Sequence, residues 1–256
     1  MGHALHTMIR DLHRRRGRER RGLVLAEGVR LVEEVVATGL ECRAVLVSPT
    51  LRGTERGRAL EASVRSRGLP IEETGDEELA KLAATEHPQG VLAVVRPKVW
   101  ALDDLGVAAD AVYLVLDGLQ DPGNVGTIVR TALALGAAGV IALPGTAELG
   151  NPKTLRASMG ALFRFPGVVA TEEAAAEWLA AHRVTVAATA MDGLPFESAR
   201  LPKKVAFVLG NEGAGVASRL AREAALKLAI PLAPGAESLN VAVAAGIFLY
   251  GACRDR

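Results

Sequence analysis

Residues 111–136, AVYLVLDGLQDPGNVGTIVRTALALG, place a strand, a turn and a helix in direct succession. Ala111 to Leu116 is a short apolar run rich in strand formers, and Gly118, Asp121, Pro122, Gly123 and Asn124 are turn residues packed together. Val125, Ile128, Val129, Ala132 and Leu133 then fall on one stripe of an α-helix, with Gly136 suited to its end. Arg130 lies opposite that stripe, one turn after Gly126, and it is the only charged residue between Asp121 and Glu148. Two readings follow: a solvated arginine on a surface helix, or an arginine left bare so that an anion can approach.

Outward from this unit the pattern alternates. Before it come strand-like GLVLAEG, helix-like VRLVEEVVATG, strand-like CRAVLVSP, helix-like ERGRALEASVRSRG, LPIEET, the acidic-started helix DEELAKLAAT and QGVLAVVRP. After it come GVIAL, the helix TEEAAAEWLAAHR, the strands VTVAATA and VAFVLG, the helix GVASRLAREA, the strand LKLAIPL and an apolar helix from Ser238. Strands alternating with helices predict α/β architecture throughout. The expected organisation is a domain over 1–97, a linker over 98–109 and a second domain over 110–256.

At 256 residues and 50% hydrophobic, the chain is neither disordered nor fibrous. No run of about 18 apolar residues is present, and the start is arginine-rich rather than an apolar signal, so a cytoplasmic protein with no membrane span is expected. Cys42 and Cys253 stand far apart without a CxxC or Cys/His cluster, so neither a disulfide framework nor a metal site is expected. Net charge is only +1, yet residues 10–21, RDLHRRRGRERR, hold seven arginines and two acids. Such a segment seeks phosphates, because neutralising them releases condensed counterions. Arg14, Arg15, Arg16, Arg18, Arg20 and Arg21 are the candidate nucleic-acid contacts; the competing reading is a solubilising tail.

Nucleotide fingerprints fit poorly. DPGNVGT lacks the lysine of a phosphate-cradling loop. VLGNEGAGV at 208–216 follows a strand, but about 40 residues remain after it and no acid stands roughly 20 positions on to hold a ribose, so dinucleotide binding is a weak alternative. Ser238 is placed as the N-cap of the last helix, with Asn240 just inside it, and Glu212 reads alone as a loop carboxylate or a cap.

Taken together, NVGTIVR, VLGNEGAGV and IPLAPGAESLNVAVAAG resemble, in order and spacing, the three signature motifs of the SpoU/TrmH family of RNA ribose 2'-O-methyltransferases in the SPOUT superfamily. LVLAEGVRLVEEVVATG and HPQGVLAVV resemble that family's accessory RNA-binding domain, and LRASMGALFRFP its middle segment. Met159 stands where a small residue is usual and Ala242 where a serine is common. The resemblance implies a C-terminal SPOUT domain with a deep trefoil knot, a rare exception to unknotted topology. It also implies a preceding small α/β RNA-binding domain like the α/β/α sandwiches of ribosomal proteins, S-adenosylmethionine as cofactor, and a homodimer.

On the same resemblance, Leu209, Gly210, Gly213, Ile230, Leu232 and Leu239 hold the cofactor, and Asn124, Arg130, Glu212, Ser238 and Asn240 carry the chemistry. Ribosomal RNA is the preferred partner; transfer RNA, or a non-catalytic RNA-binding or ribosome-assembly module, is the alternative. Two roles are open for Arg130. As a general base it must be neutral, which costs a guanidinium about 7 kcal/mol at pH 7. As a cation it clamps the phosphate and stabilises the developing alkoxide. The nucleotide modified, and whether the modification serves maturation or antibiotic resistance, are not encoded in these motifs.

Overall fold

The computed structural model describes residues 2–211 and 218–254. The chain divides into two compact units, residues 1–98 with 150–164, and residues 99–149 with 165–256.

The first unit opens with helices α1 (Gly2–Leu12) and α2 (Arg15–Arg21). There follow β1 (Val24–Glu27), α3 (Val29–Thr38), β2 (Cys42–Val47), α4 (Pro49–Arg52), α5 (Glu55–Ser66), β3 (Ile71–Glu73), α6 (Asp76–Leu82) and β4 (Val91–Val95). The sheet order is β1-β4-β2-β3, with β4 antiparallel to both neighbours and β2 parallel to β3. Every residue of β4 is buried, as a central strand covered on both faces requires. One face packs Leu25, Leu46 and Leu92 against Ile9 and Leu12 of α1 and Leu79 and Leu82 of α6. Ile9 and Leu12 are fully buried, so the arginine-rich start is part of this core and not a tail.

The second unit begins with β5 (Val112–Asp117), α7 (Pro122–Ala134) and β6 (Gly139–Ala142). The helix α7 starts three residues before the apolar stripe: Asp121 caps it by accepting from the Gly123 and Asn124 amides, and Pro122 occupies the first helical position, where its missing N–H costs nothing. Next in the chain is α8 (Pro152–Ala157), which belongs to the first unit. The second unit then resumes with β7 (Gly167–Val169), α9 (Glu172–Ala181), β8 (Thr185–Pro195), β9 (Val205–Gly210), α10 (Arg219–Arg222), β10 (Leu226–Ala229) and α11 (Val241–Cys253). Its sheet is parallel throughout, in the order β10-β8-β9-β5-β6-β7. Residues 98–109 are not structureless: Leu102–Asp104 form a 3₁₀ turn, and Leu105 is buried in the core of the second unit.

Strand β8 runs five residues further than its apolar run predicts. Ala188 pairs with Lys227, but the next pair is Leu194 with Leu228, so residues 189–193 swing out of the ladder. Gly193 permits the return, because a β-carbon there would lie 2.6 Å from the Leu228 carbonyl carbon. Among the described residues, no helix is long and apolar enough to cross a membrane, and no group of three or more His, Cys, Asp or Glu is placed to hold a metal ion.

Candidate active site

Ligands of open parallel sheets gather beyond the C-terminal ends of the strands. A cavity of about 240 Å³ lies there, at the ends of β8, β9 and β10 and the start of α11. The excursion in β8 supplies one wall through Thr189, Ala190 and Met191. Of the expected cofactor positions, Leu209, Gly210, Ile230, Leu232 and Leu239 all line it, as does Ser238; Gly213 lies outside the described residues. The lining suits S-adenosylmethionine. It is apolar where an adenine and a methionine chain need burial, its polar groups are backbone and small side chains, and none of its described lining residues is a lysine or arginine that would repel a sulfonium.

The start of α11 corrects one expectation. Asn240, not Ser238, is the N-cap: its Oδ1 accepts from the amides of Ala242 (2.9 Å) and Val243 (3.3 Å). The helix begins at Val241, which leaves Ser238 outside it, exposed and facing the cavity. With its oxygen so engaged, the Asn240 amide nitrogen donates to Asn124 Oδ1 at 3.0 Å, tying α11 to the first turn of α7. Two motifs separated by more than a hundred residues thus meet through two asparagines. Asn211 extends the polar rim, donating from Nδ2 to the Gly118 carbonyl at 3.3 Å, and Asp117 accepts from the Ser218 amide at 2.8 Å. Glu212 lies outside the described residues.

Arg130 is exposed on α7, whereas Gly126 is buried. The hydroxyls of its helix neighbours are spent inside the helix, Thr127 on the Gly123 carbonyl and Thr131 on the Thr127 carbonyl. The Arg130 side chain makes no hydrogen bond or ion pair with any described residue. It does not line the cavity, and it stands six residues along α7 from Asn124, about 9 Å of helix. The structure therefore unites Asn124 with Asn240, and Ser238 with the expected cofactor positions, while the Arg130 side chain is unengaged among the described residues.

The arginines of α1 and α2 divide. Arg14 and Arg16 are exposed, and among the described residues their side chains have no partner. Arg20 and Arg21 both bind the Asp11 carboxylate at 2.7 Å, and Arg15 binds Glu19 at 2.7 Å. Arg18 is 4% exposed and donates from Nη1 to the carbonyls of Leu12 (2.8 Å) and His13 (2.9 Å). Its head is consumed in satisfying the end of α1, so it is removed from the expected RNA contacts.

Sequence reasoning missed Thr189, Ala190, Met191, Asn211 and Phe248, all of which line the cavity or its rim. The apolar run that marks β8 ends at Ala190, before Gly193, so nothing in it signalled the departure from regular pairing.

A parallel α/β unit with an uncharged cavity at its strand ends, joined to a small mixed-sheet unit rich in arginine, is the architecture of a ligand-binding enzyme with an accessory domain. The SpoU rRNA Methylase family profile matches residues 111–250, and a profile described as MRM3-like substrate binding domain matches residues 7–93. The chain belongs to the SpoU rRNA methylase family. It is 34% identical to the 23S rRNA (guanosine(2553)-2'-O)-methyltransferase RlmP of Bacillus subtilis, covering 94% of this chain and 92% of that one. Among solved structures it is similar to the AdoMet-bound rRNA methyltransferase of Sinorhizobium meliloti (TM-score 0.86, 32% identity, 98% and 94% covered). It is likewise similar to the SpoU methyltransferase AviRb of Streptomyces viridochromogenes in complex with AdoMet (TM-score 0.87, 30% identity, 97% and 96% covered). The fold is that of SpoU methyltransferases, with a substrate-binding domain ahead of the catalytic one.

Proposed function

We propose that this protein transfers the methyl group of S-adenosylmethionine to the 2'-hydroxyl of one nucleotide in ribosomal RNA, in the cytoplasm. The observation that carries this reading is the coincidence of the expected cofactor positions with the lining of one uncharged cavity. Relatives over nearly the full chain are named for the same activity. When bound, S-adenosylmethionine supplies a methyl group on a sulfonium, ready for in-line attack.

The chain's own residues prepare the acceptor. A ribose hydroxyl is a poor nucleophile until its proton is shared or removed. Arg130, with no acceptor among the described residues, meets the neighbouring phosphate and lowers the energy of the alkoxide as it forms. Ser238 and the Asn124–Asn240 pair orient ribose and cofactor across the mouth of the cavity, and Glu212 orients the arginine or the ribose. A ribose acceptor also fits the cysteines. Burial pushes the Cys42 thiol up to about 11, so it stays protonated at neutral pH and is no nucleophile for a pyrimidine carbon.

In this reading residues 1–97 present the RNA, residues 110–256 perform the transfer, and the C-terminal segments form the trefoil knot. The protein works as a homodimer. Val243, Ile247 and Tyr250 are 52, 38 and 59% exposed at i, i+4 and i+7 of α11, an apolar stripe on the helix face opposite the one already buried. Sedimentation that finds a stable monomer at micromolar concentration removes the dimer.

The activity is tested by mapping. Alkali cleaves RNA through attack of the 2'-hydroxyl on its own phosphodiester, so rRNA treated with enzyme and cofactor gains one alkali-resistant gap in a sequencing ladder. A substrate with 2'-deoxyribose at that position accepts no methyl group. Methylation of the deoxy substrate excludes the ribose oxygen, and failure to bind S-adenosylmethionine in calorimetry leaves an RNA-binding module.

A further inference from the structure

A second cavity, of about 280 Å³, lies wholly within the first unit, near the lower end of the roughly 300–1,000 Å³ typical of small-molecule pockets. Its chemistry is unlike that of the first. Arg30 and Arg156 line it, with Gln89, His87 and Met159. The one acid among its described lining residues, Glu27, is buried and committed: it accepts from the amides of Ala84 (2.8 Å) and Thr85 (3.1 Å) and from the Thr85 hydroxyl. The two cations differ: Arg30 donates from Nη2 to Glu34 and has Nη1 3.8 Å from Glu33, so part of its guanidinium is already spoken for. Arg156 Nη1 is a buried donor with no hydrogen bond among the described residues; Glu27 is 3.6 Å away, within ion-pair range but too long for a hydrogen bond. A buried donor in that condition calls for an acceptor.

Gln89 is held in one orientation. Its Oε1 accepts from the Val29 amide at 2.9 Å, over Gly28, whose φ of +94° and missing side chain let the amide sit close. The Gln89 nitrogen is thereby left as an oriented pair of donors.

Met159 is 41% exposed and held at φ +51°, a left-handed conformation that costs any residue with a β-carbon. Gly160 follows at φ +85°, where a β-carbon would lie 2.5 Å from Glu34 Cγ, so the segment is pressed against α3. A large flexible side chain retained on strained backbone at the wall of a cavity points to function. Arg156 and Met159 come from residues 150–164, outside the stretch matched by the substrate-binding profile.

We propose that this groove takes one unstacked nucleotide of single-stranded RNA: Arg156 and Arg30 meet its phosphate, the Gln89 nitrogen donates to an acceptor on the base edge, and Met159 and His87 flank the base. The assignment rests on the RNA-methyltransferase reading above and adds to it a nucleotide subsite away from the cofactor cavity. Cations alone would suit any anion. The oriented amide and the exposed thioether are what select a base, whose faces are apolar and whose edge is polar.

The test is fluorescence anisotropy of a labelled, random-sequence, single-stranded RNA 12-mer on the full chain, with calorimetry of S-adenosylmethionine on the same samples. Met159→Gly removes the thioether and relieves the backbone together, so thermal stability holds or rises while RNA affinity falls about tenfold. Gln89→Ala weakens binding severalfold, and Arg156→Gln lowers the salt slope by roughly 0.7, one single-strand phosphate contact. Cofactor affinity stays at the wild-type value in all three.

Wild-type RNA affinity in both Met159→Gly and Gln89→Ala overturns the groove and leaves the methyltransferase reading standing. Absence of RNA binding by the wild-type chain overturns both. Displacement of the RNA by an equal concentration of a twelve-residue polyglutamate also overturns the subsite, since it marks an anion site that ignores bases.

Discussion

Arg52 of α4 and Arg130 of α7 are both surface arginines on short helices, and they are used in opposite ways. Arg52 grips Glu61 through two bonds of 2.8 and 2.9 Å and reaches Glu73 at 3.0 Å; Arg65 closes the same lattice from the other side, at 2.7 Å to Glu61 and 2.9 Å to Glu73. Those hydrogen bonds hold the Glu61 carboxyl down at about 2. Arg130 has no such neighbour in the described structure, and its helix carries no other charge. An arginine surrounded by carboxylates organises its own domain. One with no carboxylate beside it among the described residues is, in the proposed reading, kept for an anion that arrives from outside.

The contrast breaks most visibly at Arg130. Arg130→Ala should reduce methyl transfer by at least about 100-fold, the scale of losing one preorganised donor. Stability should stay within about 0.5 kcal/mol, as for surface sites without partners, and calorimetry should find S-adenosylmethionine affinity unchanged. Arg130→Lys keeps the cation and loses the planar fork, so measurable activity identifies a phosphate clamp and its loss a bidentate requirement. Wild-type turnover in the alanine variant returns Arg130 to plain solvation.

Arg18→Ala should show the reverse pattern. Its removal strands two backbone carbonyls at the end of α1, and chemical denaturation should register a loss of about 2 kcal/mol. Charge reversal at Arg14 and Arg16 together should leave stability in place and lower the salt slope of RNA binding by roughly 1.4 on a single strand, the yield of two phosphate contacts. An unchanged slope would make them ordinary solubilising charges. Truncation of residues 1–21 cannot serve instead, because it uncovers the core that Ile9 and Leu12 fill.

The smallest effect lies in the lattice itself. Because the folded carboxyl of Glu61 titrates lower than the unfolded one, its contribution to stability is complete above about pH 4.5 and fades as pH falls toward 2. Glu61→Gln should be less stable than wild type at neutral pH, and the gap should close across that acid window. A gap independent of pH would mean that shape, not charge, joins α4 to α5.

Much of this was legible in local pattern. The strand–turn–helix at 111–136 announced itself because β-formers, a proline–glycine turn and a helical stripe coincide, and the expected cofactor positions that line the cavity sit in motifs whose spacing survives without a structure. What escaped was set by distance. The stretch SLN offers two capping residues two positions apart, and the one that caps, Asn240, also bonds to Asn124, far away in sequence. Leu5, Met8, Ile9 and Leu12 form a helical stripe at the start of the chain, hidden from a reading that counted arginines there. The excursion of β8 follows from its pairing with β10, and no residue within it encodes that partner.

The packing of residues 150–164 against the first unit bears on synthesis. A chain leaves the ribosome in order, so residues 1–98 emerge while the segment that covers Glu27 and Glu34 is still unmade. At about 5–20 residues per second, several seconds pass before Arg164 is available. During that interval Glu34 has only Arg30 as a partner from its own stretch, and the α3 surface that Gly160 meets is bare. Until then residues 1–98 have an open flank, to be closed by a segment delivered from within the stretch that the SpoU methylase profile matches.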